Sequence, residues 1–124
     1  NAGNKSIRKA KKKFARRRPY QYFKEGTPTP HEEYPDDFTS YPSGHTVRAW
    51  MAALTLTAVL PEYASEIMRI GYEIGQSRVI VGFHYQSDVD AARLAASATF
   101  ARLCAEKSFH EAIEKARKEV KSEE

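Results

Sequence analysis

Residues 42–58 read Pro42-Ser43-Gly44-His45-Thr46-Val47-Arg48-Ala49-Trp50-Met51-Ala52-Ala53-Leu54-Thr55-Leu56-Thr57-Ala58. Val47, Trp50, Met51, Leu54 and Ala58 recur at i, i+3, i+4, i+7 and i+11, the stripe of an amphipathic helix. The longest apolar run, Ala49 to Leu60, is interrupted by Thr55 and Thr57. It falls short of the about 20 apolar residues that a membrane-spanning helix needs, so it predicts a core helix and no membrane span.

Working outward, Pro61 fits the first turn of a second helix, where its missing N–H costs nothing. That helix carries Ile67, Ile70, Ile74 and Val81 on one face. A turn near Gly82 to Gln86 follows, and Ser87 with Asp90 reads as an S-x-x-D cap opening a third helix to about Lys107. Its small residues (Ala91, Ala92, Ala95, Ala96, Ser97, Ala98) predict close helix packing, and a last helix is expected from Ser108 to Val120. Upstream, residues 5–17 are compatible with a helix that ends before Pro19. Residues 19–42 hold five of the six prolines, Gly26 and the acids Glu32, Glu33, Asp36 and Asp37, which reads as a long loop. A connection of that length in a small domain is functional or disordered. No strand pattern emerges beyond an ambiguous Val79 to Phe83, so the expected fold is all-α.

The chain has 124 residues, the length of one domain, and 41% hydrophobic residues, enough for a core. Cys104 is the only cysteine, which excludes an intrachain disulfide; on a stripe with Phe100 and Leu103 it reads as a small buried hydrophobe. The net charge is +4, yet residues 5–18 carry nine Lys or Arg and no acid, which leaves −5 for the remainder. A basic segment ahead of an acidic body suggests a phosphate-bearing partner: nucleic acid, an anionic membrane or a small phosphorylated molecule.

Three places carry more chemistry than a core requires. Arg78 lies on the continuation of the Ile74 and Val81 stripe, where a charge is costly unless paired; it either reaches an acid such as Glu73 or points at a ligand. Ser43-Gly44-His45 opens the strongest helix, whose N-terminus offers free N–H groups to an anion; the plain alternative is a serine cap with an incidental histidine. His84 and Asp88, four apart, can meet so that the carboxylate fixes one ring nitrogen and frees the other to attack or ligate; alternatively Asp88 complements the helix dipole.

In order, the chain reads Lys11-x6-Arg18-Pro19, then Pro42-Ser43-Gly44-His45, then Ser77-Arg78-x5-His84-x3-Asp88, with spacers of 22 and 31 residues. This resembles the three-part signature of the acid phosphatase superfamily that includes type 2 phosphatidic acid phosphatases and vanadium haloperoxidases. Tyr41 to His45, Gly71 to Arg78 and His84 to Arg93 resemble class A bacterial nonspecific acid phosphatases in particular. The resemblance implies an all-α helical bundle of the acid phosphatase/vanadium haloperoxidase type, here without the N-terminal helices of that family. Residues 1–124 would form a single catalytic domain, with 20–41 as its active-site loop.

It further implies hydrolysis of phosphate monoesters with broad substrate range, through a phosphohistidine and without a metal or other cofactor. His84 would be the nucleophile, Asp88 would hold its other nitrogen, and His45 would be the general acid and then base. Lys11, Arg18 and Arg78, with the backbone N–H groups of Ser43 and Gly44, would bind the phosphate. A protonated His45 makes an acidic pH optimum the expectation. Phosphate and vanadate would inhibit, the location would be periplasmic, and a second copy would cover apolar faces left exposed, giving a homodimer. Two other readings of the family likeness are a vanadate-dependent haloperoxidase and an inactive truncated phosphatase. A nucleic-acid-binding module using residues 5–18, with Tyr20, Tyr22 and Phe23 stacking on bases, leaves the Ser-Gly-His and His-Asp elements unexplained, so no nucleic acid is expected. His31 and His110 match no part of the signature and are expected at the surface, and Lys9, Lys12, Lys13, Arg16 and Arg17 are expected to be solvated or packed.

Overall fold

In the computed structural model, which describes residues 2–124, the described residues form helices and loops with no strand. α1 spans Ala2–Phe14 and stops sooner than the sequence pattern suggests, because Ala15 adopts the left-handed region at φ 43°. The chain then makes the short α2, Pro19–Tyr22, with Pro19 in its first turn, and a single turn at Pro30–Glu32. α3 runs from Gly44 to Val59 behind the Ser43 cap, whose hydroxyl accepts from the Thr46 N–H. α4 spans Ala64–Ile80, α5 Gln86–Cys104 and α6 Lys107–Ser122.

α3 is the central element, with α1, α4, α5 and α6 packed against it. Val47 is fully buried with Ile7 of α1 and Ala92 of α5, and Met51 and Ala95 pack against the cluster. Burying a valine or isoleucine contributes about 1.5–3 kcal/mol, so this three-helix contact anchors the basic segment to the bundle. The small residues act as expected at two positions, since Ala92 and Ala96 are fully buried. Gly71 brings α4 so close to α3 that a Cβ there would lie 2.6 Å from Cβ of Ala53.

Four expectations are corrected. Ser87 and Asp90 do not cap α5: the helix starts at Gln86, and Asp88 at its third position accepts from the Tyr85 N–H. α5 ends at Cys104 rather than near Lys107. Cys104 is exposed at the end of α5, beside the edge-on pair of Phe100 and Phe109 of α6. The α4 stripe is not core: Ile70 and Ile74 are 50% and 43% exposed and, with Ile67, Ala52 and Leu56, line an open apolar groove between α3 and α4. Among the described residues, no helix is long and apolar enough to cross a membrane.

Candidate functional site

The three signature segments come from distant parts of the chain and meet at one end of the bundle. α1 and the residues just after it bring Lys11, Arg16 and Arg18; the N-terminus of α3 brings Ser43, Gly44 and His45; the end of α4 brings Arg78; the turn into α5 brings His84 and Asp88. Arg18, His45, Arg78 and Phe83 line a cavity of about 300 Å³, together with His31, Glu32, Tyr34 and Asp37 from the long loop.

His84 is 2% exposed, and its two ring nitrogens have unlike neighbours. Nδ1 lies 2.8 Å from the Ser40 carbonyl oxygen, and Nε2 lies 3.0 Å from Nη1 of Arg18. A carbonyl only accepts and a guanidinium only donates. The neutral ring therefore carries its proton on Nδ1 and keeps the Nε2 lone pair toward Arg18. Burial lowers the imidazole pKa; the Asp88 carboxylate opposes that, and the Arg18 charge adds to it. The pKa is thus held below that of a free imidazole.

Asp88 stands beside the ring: its Oδ2 lies 3.6 Å from Nδ1, an ion-pair contact longer than a hydrogen bond. The fully buried carboxylate accepts from the Ser40 hydroxyl, the Tyr85 N–H at 2.8 Å and Arg16 at 3.0 Å. Burial alone would raise its pKa, but the hydrogen bonds and the Arg16 charge outweigh that and lower it. Asp88 also reaches the α3 cap through its backbone, since its carbonyl accepts from the Ser43 N–H at 3.1 Å. That bond occupies one of the two N–H groups expected to face an anion. Gly44 and His45, as first residues of α3, keep N–H groups with no intrahelical acceptor. A Cβ at Gly44 would meet nothing nearer than 3.7 Å, so the backbone there is open to a ligand.

The cations differ in how far they are already engaged. Lys11 donates to the carbonyls of Thr39 and Pro42 at 2.6 and 2.5 Å and so ties the loop to α1. Burial, with help from Arg18, lowers its pKa to about 8. Arg18 donates to Asp37 through Nε at 2.6 Å, to Thr39 and to the Phe83 carbonyl. Arg78 makes no hydrogen bond or ion pair among the described residues; its guanidinium lies 4.8 Å from the Phe83 ring centroid and its Nε is buried without a partner. An arginine so placed in a cavity wall is free to take an anion's oxygens. His45 is exposed at the same cavity, and burial of its ring together with the Arg78 and Arg48 charges lowers its pKa to about 4.

Sequence reasoning missed Ser40, Arg16, Asp37 and His31. Arg16 is not merely solvated: it stacks 4.0 Å over Tyr85 and pairs with Asp88. His31 is exposed as expected yet stands at the cavity wall. The proline-rich loop hid these placements, because nothing local marks which of its polar residues turn inward. Tyr20 packs inside against Phe83, while Tyr22 and Phe23 are exposed.

Residues 4–109 match the PAP2 superfamily. The chain belongs to that superfamily. It is 43% identical over 122 residues to a non-specific acid phosphatase of Providencia stuartii, covering 96% of this chain and 48% of that protein. It is 45% identical over 112 residues to a non-specific acid phosphatase of Salmonella typhi, covering 90% and 45%. A lipid A 1-phosphatase of Rhizobium johnstonii is 44% identical over 70 residues, 55% of this chain and 28% of that protein. The chain thus spans about half the length of the acid phosphatases it matches. The all-helical architecture agrees with this membership.

Proposed function

We propose that this PAP2 chain is the catalytic domain of an acid phosphatase that hydrolyses phosphate monoesters through a phosphohistidine at His84. The observation that carries the reading is the His84 ring itself: buried, with the Ser40 carbonyl oxygen at Nδ1 and the Arg18 guanidinium at Nε2, an arrangement that suits a ring protonated on Nδ1 with its Nε2 lone pair toward the cation cluster. The acid phosphatase relatives lend the substrate class.

A phosphate monoester entering the cavity draws Arg18 away from Nε2 and engages Arg78, whose unpaired guanidinium gains two oxygen partners. The Gly44 N–H and the dipole of α3 add to the cradle. Lys11 contributes charge from behind the loop. Nε2 attacks phosphorus in line; the P–O bond to the alcohol breaks, and His45 donates a proton to the departing oxygen. Water, losing its proton to His45, then attacks the phosphohistidine and releases phosphate with His84 restored. Phosphoryl transfer asks mainly for positioning and charge stabilisation, which these cations supply. Burial of the ring first, and then the surrounding cations, set the pKa of His45 near 4. A bound phosphate dianion reverses that field and raises it, so His45 is protonated when a substrate is present in acid.

The loop 20–41, through Tyr34, Glu32 and His31, borders the leaving group and shapes a broad specificity. A periplasmic location follows the likeness to the acid phosphatases, and the apolar groove between α3 and α4 supports a homodimer. The test is release of nitrophenol from p-nitrophenyl phosphate at acid and neutral pH, with and without vanadate, beside His84→Ala. Release that vanadate blocks and His84→Ala abolishes supports the reading. Release that survives His84→Ala sinks the mechanism, and no release sinks the activity for this chain.

A further inference from the structure

Two carboxylates line the cavity, and the structure uses them differently. Asp37 is engaged within the protein: Oδ2 takes Nε of Arg18 at 2.6 Å, and Oδ1 accepts from the Thr39 N–H and hydroxyl. Glu32 is exposed and forms no ion pair among the described residues; its Oε2 accepts from the Thr29 hydroxyl at 2.8 Å.

The turn that carries Glu32 is pinned on both sides. Within it the Glu32 N–H donates to the Thr29 carbonyl and the Glu33 N–H to that of Pro30, at 3.0 and 3.1 Å. Before it, the Thr27 N–H donates to Oε1 of Glu33 at 2.6 Å. After it, the Tyr34 backbone exchanges hydrogen bonds with the Tyr20 hydroxyl and accepts from Gln21. The carboxylate therefore has a fixed place in the cavity wall.

Its charge acts on two neighbours there. One is Arg78: burial disfavours the guanidinium cation, and Glu32 is the acid that opposes this. The other is whatever group the phosphate carries. Attack by Nε2 is in line, so the leaving oxygen departs on the side away from His84. His84 is buried, whereas His31, Glu32 and Tyr34 of the wall are exposed, so the leaving group faces those three. A charge fixed in a cavity wall attracts opposite charge and repels like charge more strongly than one on an open surface.

We propose, on the reading of this cavity as a phosphate monoester site, that Glu32 is a specificity-determining residue. It selects esters whose leaving group is neutral or cationic and disfavours those whose leaving group carries a second anion. Esters of amino alcohols fall in the first class; diphosphates, bisphosphates and esters of hydroxy acids fall in the second.

The test uses phenyl phosphate and its 4-carboxy and 4-aminomethyl derivatives, at neutral pH, where both added groups are charged. Phosphate release is compared between the parent, Glu32→Gln and Asp36→Asn, the last an exposed acid of the same loop outside the cavity wall. Glu32→Gln keeps the shape and an acceptor for Thr29 and removes the charge. Relative to phenyl phosphate, it should raise kcat/KM for the carboxy ester by about threefold to tenfold and lower that for the aminomethyl ester by a similar factor. Asp36→Asn should leave both ratios within about twofold of the parent. Unchanged ratios in Glu32→Gln overturn the proposal. So does an equal gain for all the substrates, because Glu32 then acts only on the phosphate through Arg78. An equal shift in Asp36→Asn also overturns it, by assigning the effect to the general charge of the loop. The phosphatase reading survives each of these results. The corresponding phenylphosphonates, which are not hydrolysed, separate the opposite case when titrated calorimetrically into the parent and Glu32→Gln. A chain that binds them but releases no phosphate counts against the phosphatase reading, while the ratio of their dissociation constants still decides the role of Glu32. No binding of any phosphonate overturns both.

Discussion

Gly71→Ala perturbs the contact on which the site's geometry depends. The added Cβ would lie 2.6 Å from Cβ of Ala53 and 3.5 Å from the Ala49 carbonyl oxygen. Carbon atoms rest about 3.5–4.0 Å apart, so α3 and α4 must separate by about 1 Å there. Both clashing atoms are Cβ atoms fixed to helix backbone, and no rotamer can relieve them. Overpacking of this kind costs about 1–3 kcal/mol. The gain from replacing glycine in a helix offsets about 1 kcal/mol of that. The expected net loss is about 1 kcal/mol, which for a domain of this size lowers Tm by roughly 4 °C. α3 carries His45 at its start and α4 carries Arg78 two turns beyond Gly71, so the displacement also widens the cavity. Urea and thermal unfolding followed by circular dichroism measure the first effect, and KM for p-nitrophenyl phosphate, which should rise, measures the second. A variant as stable as the parent or more so would refute the reasoning, because the helices could not then be in such close contact.

Further outcomes follow from individual residues. Ser43→Ala removes the fully buried cap of α3 and leaves Thr46 without its partner at 2.9 Å; it should cost about 0.5–2 kcal/mol in urea unfolding. The free site holds His45 near pKa 4 against 6.5 unfolded, so between those values the unfolded chain binds more protons. The His45 contribution is therefore fully present above 6.5 and lost as pH falls toward 4, and Tm should rise with pH across that window less steeply in His45→Gln. The exposed Cys104 should react with a thiol reagent in the native protein without unfolding, at a rate that denaturant changes little.

Much of this was legible in the sequence. The apolar period beginning at Val47 predicts α3, and Val47 is the buried centre of the bundle. The spaced signature names His45, Arg78, His84 and Asp88, and the structure gathers them with Arg18 at one end. What period and spacing could not convey is which hydrogen bonds close. A motif reports that His84 and Asp88 are four apart, but the partner of Nδ1 is a backbone carbonyl, and every residue has one. Ser40 and Arg16 were invisible for the same reason: their roles come from a loop folding back against α5. The α4 stripe misled in another way, because helical periodicity marks an apolar face without saying what covers it. Cys104 shared that ambiguity at a helix end, where Phe100 packs against Phe109 of α6 and the cysteine stays exposed.

The central claim is that Nε2 of His84 forms a bond to phosphorus. Rapid quenching of the chain with a phosphate monoester in acid, followed by alkaline digestion and mass spectrometry of the peptide containing His84, tests it directly. The account predicts a phosphoryl group on His84 that is stable in alkali, labile in acid and absent from His84→Ala. Turnover without any phosphorylated protein, or with the phosphoryl group on another residue, would contradict it.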